Sequence, residues 1–161
     1  MSAVRQGKDD SWILSVSAFH HVAISVSNLT ETMDFYAKLG FREVKTWHDE
    51  SRLVFIVHLA LNDYILEVFW YSDHRPAPLE SAALEDDLRI VGVKHFALQV
   101  SDIQQALVTL REHGYADSST SISLGRTGIY YFFIKDPSGN WLEFVQDPLA
   151  NTLSSPKTDS S

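Results

Sequence analysis

The chain repeats itself. "HHVAISVSNLTETMDFYAKLGF" at 20–41 lies without a gap over "KHFALQVSDIQQALVTLREHGY" at 94–115. His21 falls on His95, Ala23 on Ala97, Val26 on Val100, Ser27 on Ser101 and Gly40 on Gly114, with conservative swaps between them. A duplicated unit of this size folds as two copies of one supersecondary motif that bury their apolar faces together. Each copy reads as strand, cap, helix, stop. Val22, Ile24 and Val26 alternate with His21, Ala23 and Ser25, the period of a strand. Asn28 is a suitable N-cap with Glu31 three residues on, Leu29, Met33, Tyr36 and Leu39 follow helical spacing, and Gly40 suits the left-handed stop. In the second copy Asp102 caps, Ile103, Ala106, Leu107 and Leu110 form the apolar stripe, and Gly114 ends it.

The segment beyond each helix repeats as well. "SRLVFIVHLALNDYILEVFW" and "GIYYFFIKDPSGNWLEFVQD" are both hairpin patterns, broken at Asn62-Asp63 and at Asp136–Asn140. Aligning "ILEVF" with "WLEFV" sets Glu67 over Glu143, the longer second turn absorbing the difference in spacing. The expected fold is therefore α+β, with two βαβββ modules at 18–70 and 93–147 within one domain spanning 18–147. A Pro-bearing acidic linker, 71–92, joins them. Residues 1–17 read as an N-terminal extension, and 148–161, polar and rich in Ser, as a disordered tail.

Composition excludes several function classes. The absence of cysteine removes disulfides, thiolate nucleophiles and zinc–thiolate sites, so any metal must be held by His, Asp or Glu. The formal net charge of −8, without a basic stripe, argues against nucleic acid and against an anionic membrane surface. No apolar run approaches a membrane span, and "MSAVRQGKDDSW" is too polar for a signal peptide, so a cytoplasmic protein is expected.

The duplication singles out four residues: His21 and Glu67, then His95 and Glu143. Each His opens the first strand of its module on the small-residue face, beside Ala23 and Ser25 or Ala97 and Gln99. Each Glu stands in an otherwise apolar strand, where an unpaired carboxylate is expensive. A single such His or Glu is most often only hydrogen-bonded. Recurrence of both types at matching places favours a site in which two imidazoles and two carboxylates converge on one divalent cation, Ni, Co, Zn, Mn or Fe(II). His20 alternates to the other face and aligns with Lys94, so it is expected at the surface or core edge. His48, His58, His74 and His113 have no repeat partner and are read as structural or solvent-exposed.

"HHVAISVSNLTETMDFYAKLGF" and "DPSGNWLEFV" resemble the signatures of the vicinal oxygen chelate superfamily, the glyoxalase, bleomycin-resistance and extradiol-dioxygenase group. The resemblance covers about residues 18 to 147. It implies two βαβββ modules forming a cup-shaped mixed sheet around a metal, often in a homodimer, with His21, Glu67, His95 and Glu143 at the ligand positions. That ligand set is similar to glyoxalase I. It implies a metal-dependent lyase or isomerase that moves a proton next to a carbonyl of a small oxygen-chelating substrate, with Glu143 as the base. The chain departs from glyoxalase I at Ser25, where that enzyme carries an arginine used to hold glutathione, and at Tyr71, where it carries an asparagine, so the resemblance does not extend to a glutathione substrate. An Fe(II) dioxygenase using His21, His95 and Glu143 is the alternative within the family, and a small-molecule binding or antibiotic-resistance protein is the alternative outside catalysis. Arg126 and Arg75 are candidates to hold an anionic substrate group, and Tyr130, Phe132, Trp47 and Trp70 to wall the pocket.

Overall fold

The computed structural model describes residue 14 and residues 16–148; most of the expected extension and nearly all of the expected tail lie outside the described residues. The first module runs β1 (His21–Val26), α1 (Leu29–Lys38), β2 (Arg42–Asp49), β3 (Val54–Leu61) and β4 (Tyr64–Tyr71). The second runs β5 (His95–Gln99), α3 (Ile103–Glu112), β6 (Ser123–Leu124), β7 (Tyr130–Lys135) and β8 (Trp141–Gln146). Between them lie a 3-10 turn at Leu79–Ala82 and the short α2 (Leu84–Asp87). The α+β class and the βαβββ order are as the repeat implies. Each module forms a four-stranded mixed sheet, in the orders β1-β4-β3-β2 and β5-β8-β7-β6, and in each the first strand pairs in parallel with the last. No helix among the described residues is long and apolar enough to cross a membrane.

The local signals act where the sequence puts them. Asn28 Oδ1 accepts from Glu31 N at 3.1 Å, and Asp102 Oδ1 accepts from Gln105 N at 2.9 Å, satisfying donors that a helix start leaves open. At the other end Phe41 N donates to Tyr36 O and Gly40 N to Ala37 O, and the same pair of bonds recurs at Tyr115 and Gly114. This closure needs a left-handed residue, and the φ values of +94° at Gly40 and +76° at Gly114 meet it.

One apolar core serves both modules, with Val57, Leu66 and Val68 of the first packed in the same cluster as Leu107, Leu142 and Phe144 of the second. Tyr36 joins them: fully buried, its ring lies 6.3 Å from that of Phe96 across the modules. Its hydroxyl donates to the buried Asp136 Oδ2 at 3.1 Å. Asp136 also organises its own turn, Oδ1 accepting from Ser138 N and Asn140 N, each at 2.9 Å. That turn in turn docks on β1, with Ser27 N donating to Ser138 Oγ at 2.9 Å and Asn140 Nδ2 to Ser25 O at 3.1 Å. The linker is fastened to the second module: Lys135 Nζ donates to Ala82 O at 2.8 Å, Trp141 Nε1 donates to Ser81 O at 3.3 Å, and Lys94 pairs with the buried Asp87 at 3.4 Å.

Burial pushes the Tyr36 phenol far above the ordinary tyrosine range, and the neighbouring Asp136 adds to it. The folded protein therefore keeps this proton where the unfolded chain gives it up. The associated stability is present below the ordinary tyrosine pKa of about 10 and is lost as pH rises beyond it. Tyr36→Phe is expected to lower stability by about 1–3 kcal/mol at neutral pH, because the buried Asp136 Oδ2 loses one of its two donors and keeps only Asn140 Nδ2. It is also expected to flatten the fall above about pH 10. Urea melts of both proteins across that pH range check both effects.

Candidate functional site

Strand pairing brings each predicted His to its predicted Glu. In the parallel ladder of β1 with β4, Ala23 lies opposite Glu67, so His21, two residues earlier, sits diagonally on the same face. Its Nε2 is 3.4 Å from Glu67 Oε2. β5 and β8 reproduce this register, Ala97 opposite Glu143, and His95 Nε2 is 3.2 Å from Glu143 Oε2. The four residues thus form two equivalent pairs, one per module. Among the described residues no three His, Asp or Glu side chains form a group arranged to hold a metal ion, so the chain brings the four together two by two. β1 and β5 are edge strands of their sheets and border a common cleft of about 170 Å³, lined by Ala23 and Ser25 on one side and His95 and Trp141 on the other.

The pairs differ in their third neighbour. His58 on β3 lies opposite Glu67, and its Nε2 is 2.9 Å from Glu67 Oε1, so both carboxylate oxygens of Glu67 have an imidazole partner. The His21 and His58 rings stack 6.1 Å apart. In the second module Phe133 lies opposite Glu143, its ring edge-on to His95 at 4.9 Å, so His95 is the one imidazole beside Glu143 among the described residues. Burial pushes the Glu143 carboxyl above the ordinary carboxylate range, and His95 pulls it part of the way back. His95 Nδ1 is buried with no hydrogen-bond partner among the described residues. His20, exposed as expected, is nonetheless engaged, its Nδ1 2.7 Å from His21 Nδ1.

His58, read from the sequence as structural or exposed, is the residue that reading missed. The signal was available: a hairpin closing at Asn62-Asp63 pairs Leu61 with Tyr64 and therefore His58 with Glu67. The pocket-wall expectation is corrected for Phe132 and Tyr130. Phe132 is 1% exposed and stacks on Phe144 in the core. Tyr130 shares its face by the two-residue period. The residues that share the face of Glu143 are Tyr131 and Phe133, one step along the strand. Trp70 also alternates away from Glu67, packing on Phe55 and donating its indole N–H to Ser27 O at 3.2 Å. Trp47 is half exposed and lies opposite Ile56, on the face of His58. Arg126 lies exposed in the turn between β6 and β7, on the side of the sheet away from β5.

Comparison with known proteins agrees with this architecture. Residues 18–144 match the Glyoxalase/Bleomycin resistance protein/Dioxygenase superfamily. The chain is 28% identical to the uncharacterized protein YaeR of Escherichia coli (strain K12) over 136 residues, 83% of this chain and 99% of that protein. Among solved structures it is similar to a glyoxalase family protein from Enterococcus faecalis, with a TM-score of 0.66 and 28% identity over 80% of this chain and 97% of that one. It also shares the fold of the trypanothione-dependent glyoxalase I of Leishmania major, with a TM-score of 0.59 and 19% identity over 83% and 88% of the two chains.

The alternation along β7 makes a direct forecast. Phe132→Ala should cost about 3–5 kcal/mol of stability, the usual loss for a buried aromatic. Phe133→Ala should cost less and instead change the surroundings of His95, seen as a shift of the His95 imidazole resonances by NMR.

Proposed function

The chain belongs to the Glyoxalase/Bleomycin resistance protein/Dioxygenase superfamily, and within it we propose a metal-dependent lyase or isomerase that moves a proton next to a carbonyl of a small oxygen-chelating substrate. The observation that carries this reading is the duplicated His–Glu pair, at 3.4 Å in one module and 3.2 Å in the other, on matching faces and in matching register. The donor chemistry fits a divalent cation, because each pair offers one imidazole nitrogen and one carboxylate oxygen. In this proposal His21, Glu67, His95 and Glu143 together hold one ion of Ni, Co, Zn, Mn or Fe(II). When bound, that ion supplies Lewis-acid polarisation of a substrate oxygen.

The two carboxylates are assigned different work by their neighbours. Glu67 is held by His21 and His58, one on each oxygen, and serves as a fixed, oriented group. Glu143 has His95 at one oxygen and the apolar Phe133 opposite it, which leaves the other oxygen for a substrate proton. Glu143 is therefore the base, and a base within reach of its proton accelerates transfer by about 10²–10⁴-fold. Phe133 and Tyr131, their rings edge to face 5.6 Å apart, make the neighbouring strand on that face aromatic. A homodimer belongs to the same reading, since an apolar cavity of about 630 Å³ between the modules is rimmed by the exposed Phe19, Tyr64 and Val93. A cytoplasmic location is part of the proposal too.

The engagement of Glu67 with His58 favours one alternative, an Fe(II) dioxygenase in which His21, His95 and Glu143 act as a two-His, one-carboxylate triad.

Elemental analysis of protein purified without chelators should find about one divalent ion per chain, lost in His21→Ala and in His95→Ala. Glu143→Gln should slow exchange of the α-proton of an α-hydroxycarbonyl substrate in deuterated water by about 10²–10⁴-fold. Glu67→Gln should lose metal affinity in the four-ligand isomerase but leave oxygen consumption largely intact in the dioxygenase. Metal-loaded protein that exchanges no such proton sinks the leading reading.

A further inference from the structure

A second cleft, of about 380 Å³, opens at the far end of β1 and has a different chemistry from the His–Glu pairs. Its walls come from three separated segments: Ser25 and Ser27 at the end of β1, His74 and Arg75 at the start of the linker, and Ser138 and Asn140 from the turn between β7 and β8. No carboxylate among the described residues lines it. Arg75 makes no ion pair or hydrogen bond among the described residues, in a chain whose formal charge is −8. The Ser25 hydroxyl is likewise uncommitted among them. The rest of the wall is rigid. Ser138 Oγ accepts from Ser27 N at 2.9 Å, Asn140 Nδ2 donates to Ser25 O at 3.1 Å, and His74 Nδ1 lies 3.0 Å from Tyr71 O. The cleft therefore combines free donors, one unpaired guanidinium and a fixed frame. An anionic oxygen group satisfies all three, because a guanidinium meets a carboxylate or phosphate through two parallel N–H donors.

Its position relates it to the candidate site. Ser25 points to the same face of β1 as His21 and Ala23, four residues along the strand, which is about 13 Å at the rise of an extended chain. We propose that this cleft seats a carboxylate or phosphate group, held by Arg75 and the Ser25 hydroxyl, at the far end of an extended substrate whose reacting carbonyl lies at the site of the two His–Glu pairs, within reach of Glu143. The placement of the reacting end rests on the function proposed above; the anion seat does not. It assigns the substrate class as an elongated, singly armed anion, and the linker, through Arg75, as the element that selects it.

The test titrates the full-length protein with inorganic phosphate and, separately, with malonate, at an ionic strength held constant with sodium chloride. Amide resonances of Ser25 and Ser27 and the Arg75 Nε resonance are followed by NMR. Saturable shifts at these positions are expected with at least one anion, weakened about tenfold in Arg75→Gln, the scale of one lost charge-assisted contact. Arg75 is exposed and unbonded among the described residues, so this variant keeps its fold. A response to phosphate alone assigns a phosphate arm, and a response to malonate alone a carboxylate arm. Absence of saturable shifts, or equal affinity in Arg75→Gln, overturns the proposal. Anion binding is also measured in Glu67→Gln. Binding retained there, with proton exchange absent from the wild-type protein, condemns the reading of the His–Glu pairs and leaves the anion seat standing.

Discussion

Each His–Glu pair exists because the first strand of its module hydrogen-bonds in parallel to the last. A hairpin places only neighbours in sequence side by side. The β1–β4 and β5–β8 ladders bring together residues separated by a helix and two strands, and their register sets a diagonal on one face. The helix makes that crossover, and its Schellman closure at Gly40 or Gly114 turns the chain back toward the sheet. The chemistry of both His–Glu pairs depends on this pairing: a shift of one residue in either ladder would turn the Glu toward the core, where an unpaired carboxylate is expensive.

The two modules share a backbone plan and have diverged in what they do with it. Tyr36 stands at the repeat position of Leu110, both buried, yet only Tyr36 carries a hydroxyl, and it reaches Asp136 in the other module. The turn that presents Asp136 is the long one; the corresponding turn of the first module is Asn62-Asp63, with no such bridge among the described residues. This one buried hydrogen bond, with the seryl and asparaginyl contacts around it, fixes how the second hairpin sits against β1. The same asymmetry appears at the face of the sheets. His58 restrains Glu67, whereas Phe133 leaves Glu143 with His95 as its imidazole neighbour. Duplication supplied two equal pairs, and the third residue of each made them unequal.

Much of the architecture was legible because local and repeated signals agreed. Asn28 and Asp102 cap where their spacing says, and the alternation of Val22, Ile24 and Val26 correctly assigns His21 to the opposite face. The pocket walls were not legible in the same way. Tyr130 to Phe133 are four aromatics in a row, so composition gives no phase, and only pairing with Glu143 shows that Phe133 faces the site and Phe132 the core. His58 was hidden for a related reason: without a repeat partner it looked incidental, and its role comes from a cross-strand neighbour.

The sequence by itself determined the duplicated βαβββ plan, the two helices with their caps and stops, and the pairing of one His with one Glu in each half. The plan and the helices rest on periodicity and capping, which act over a few residues, and the matched His and Glu were legible through their recurrence in the two repeats, while the parallel ladders brought each pair into contact. Tertiary structure alone decided which carboxylate has an imidazole on each oxygen and which, among the described residues, has one on a single oxygen. It also decided which aromatics line the face, and that Ser25, Arg75 and Asn140 share one cleft. Those outcomes depend on strand register and on the docking of the second module's turn against β1, set by the burial of Tyr36 and Asp136 in a core that both modules build.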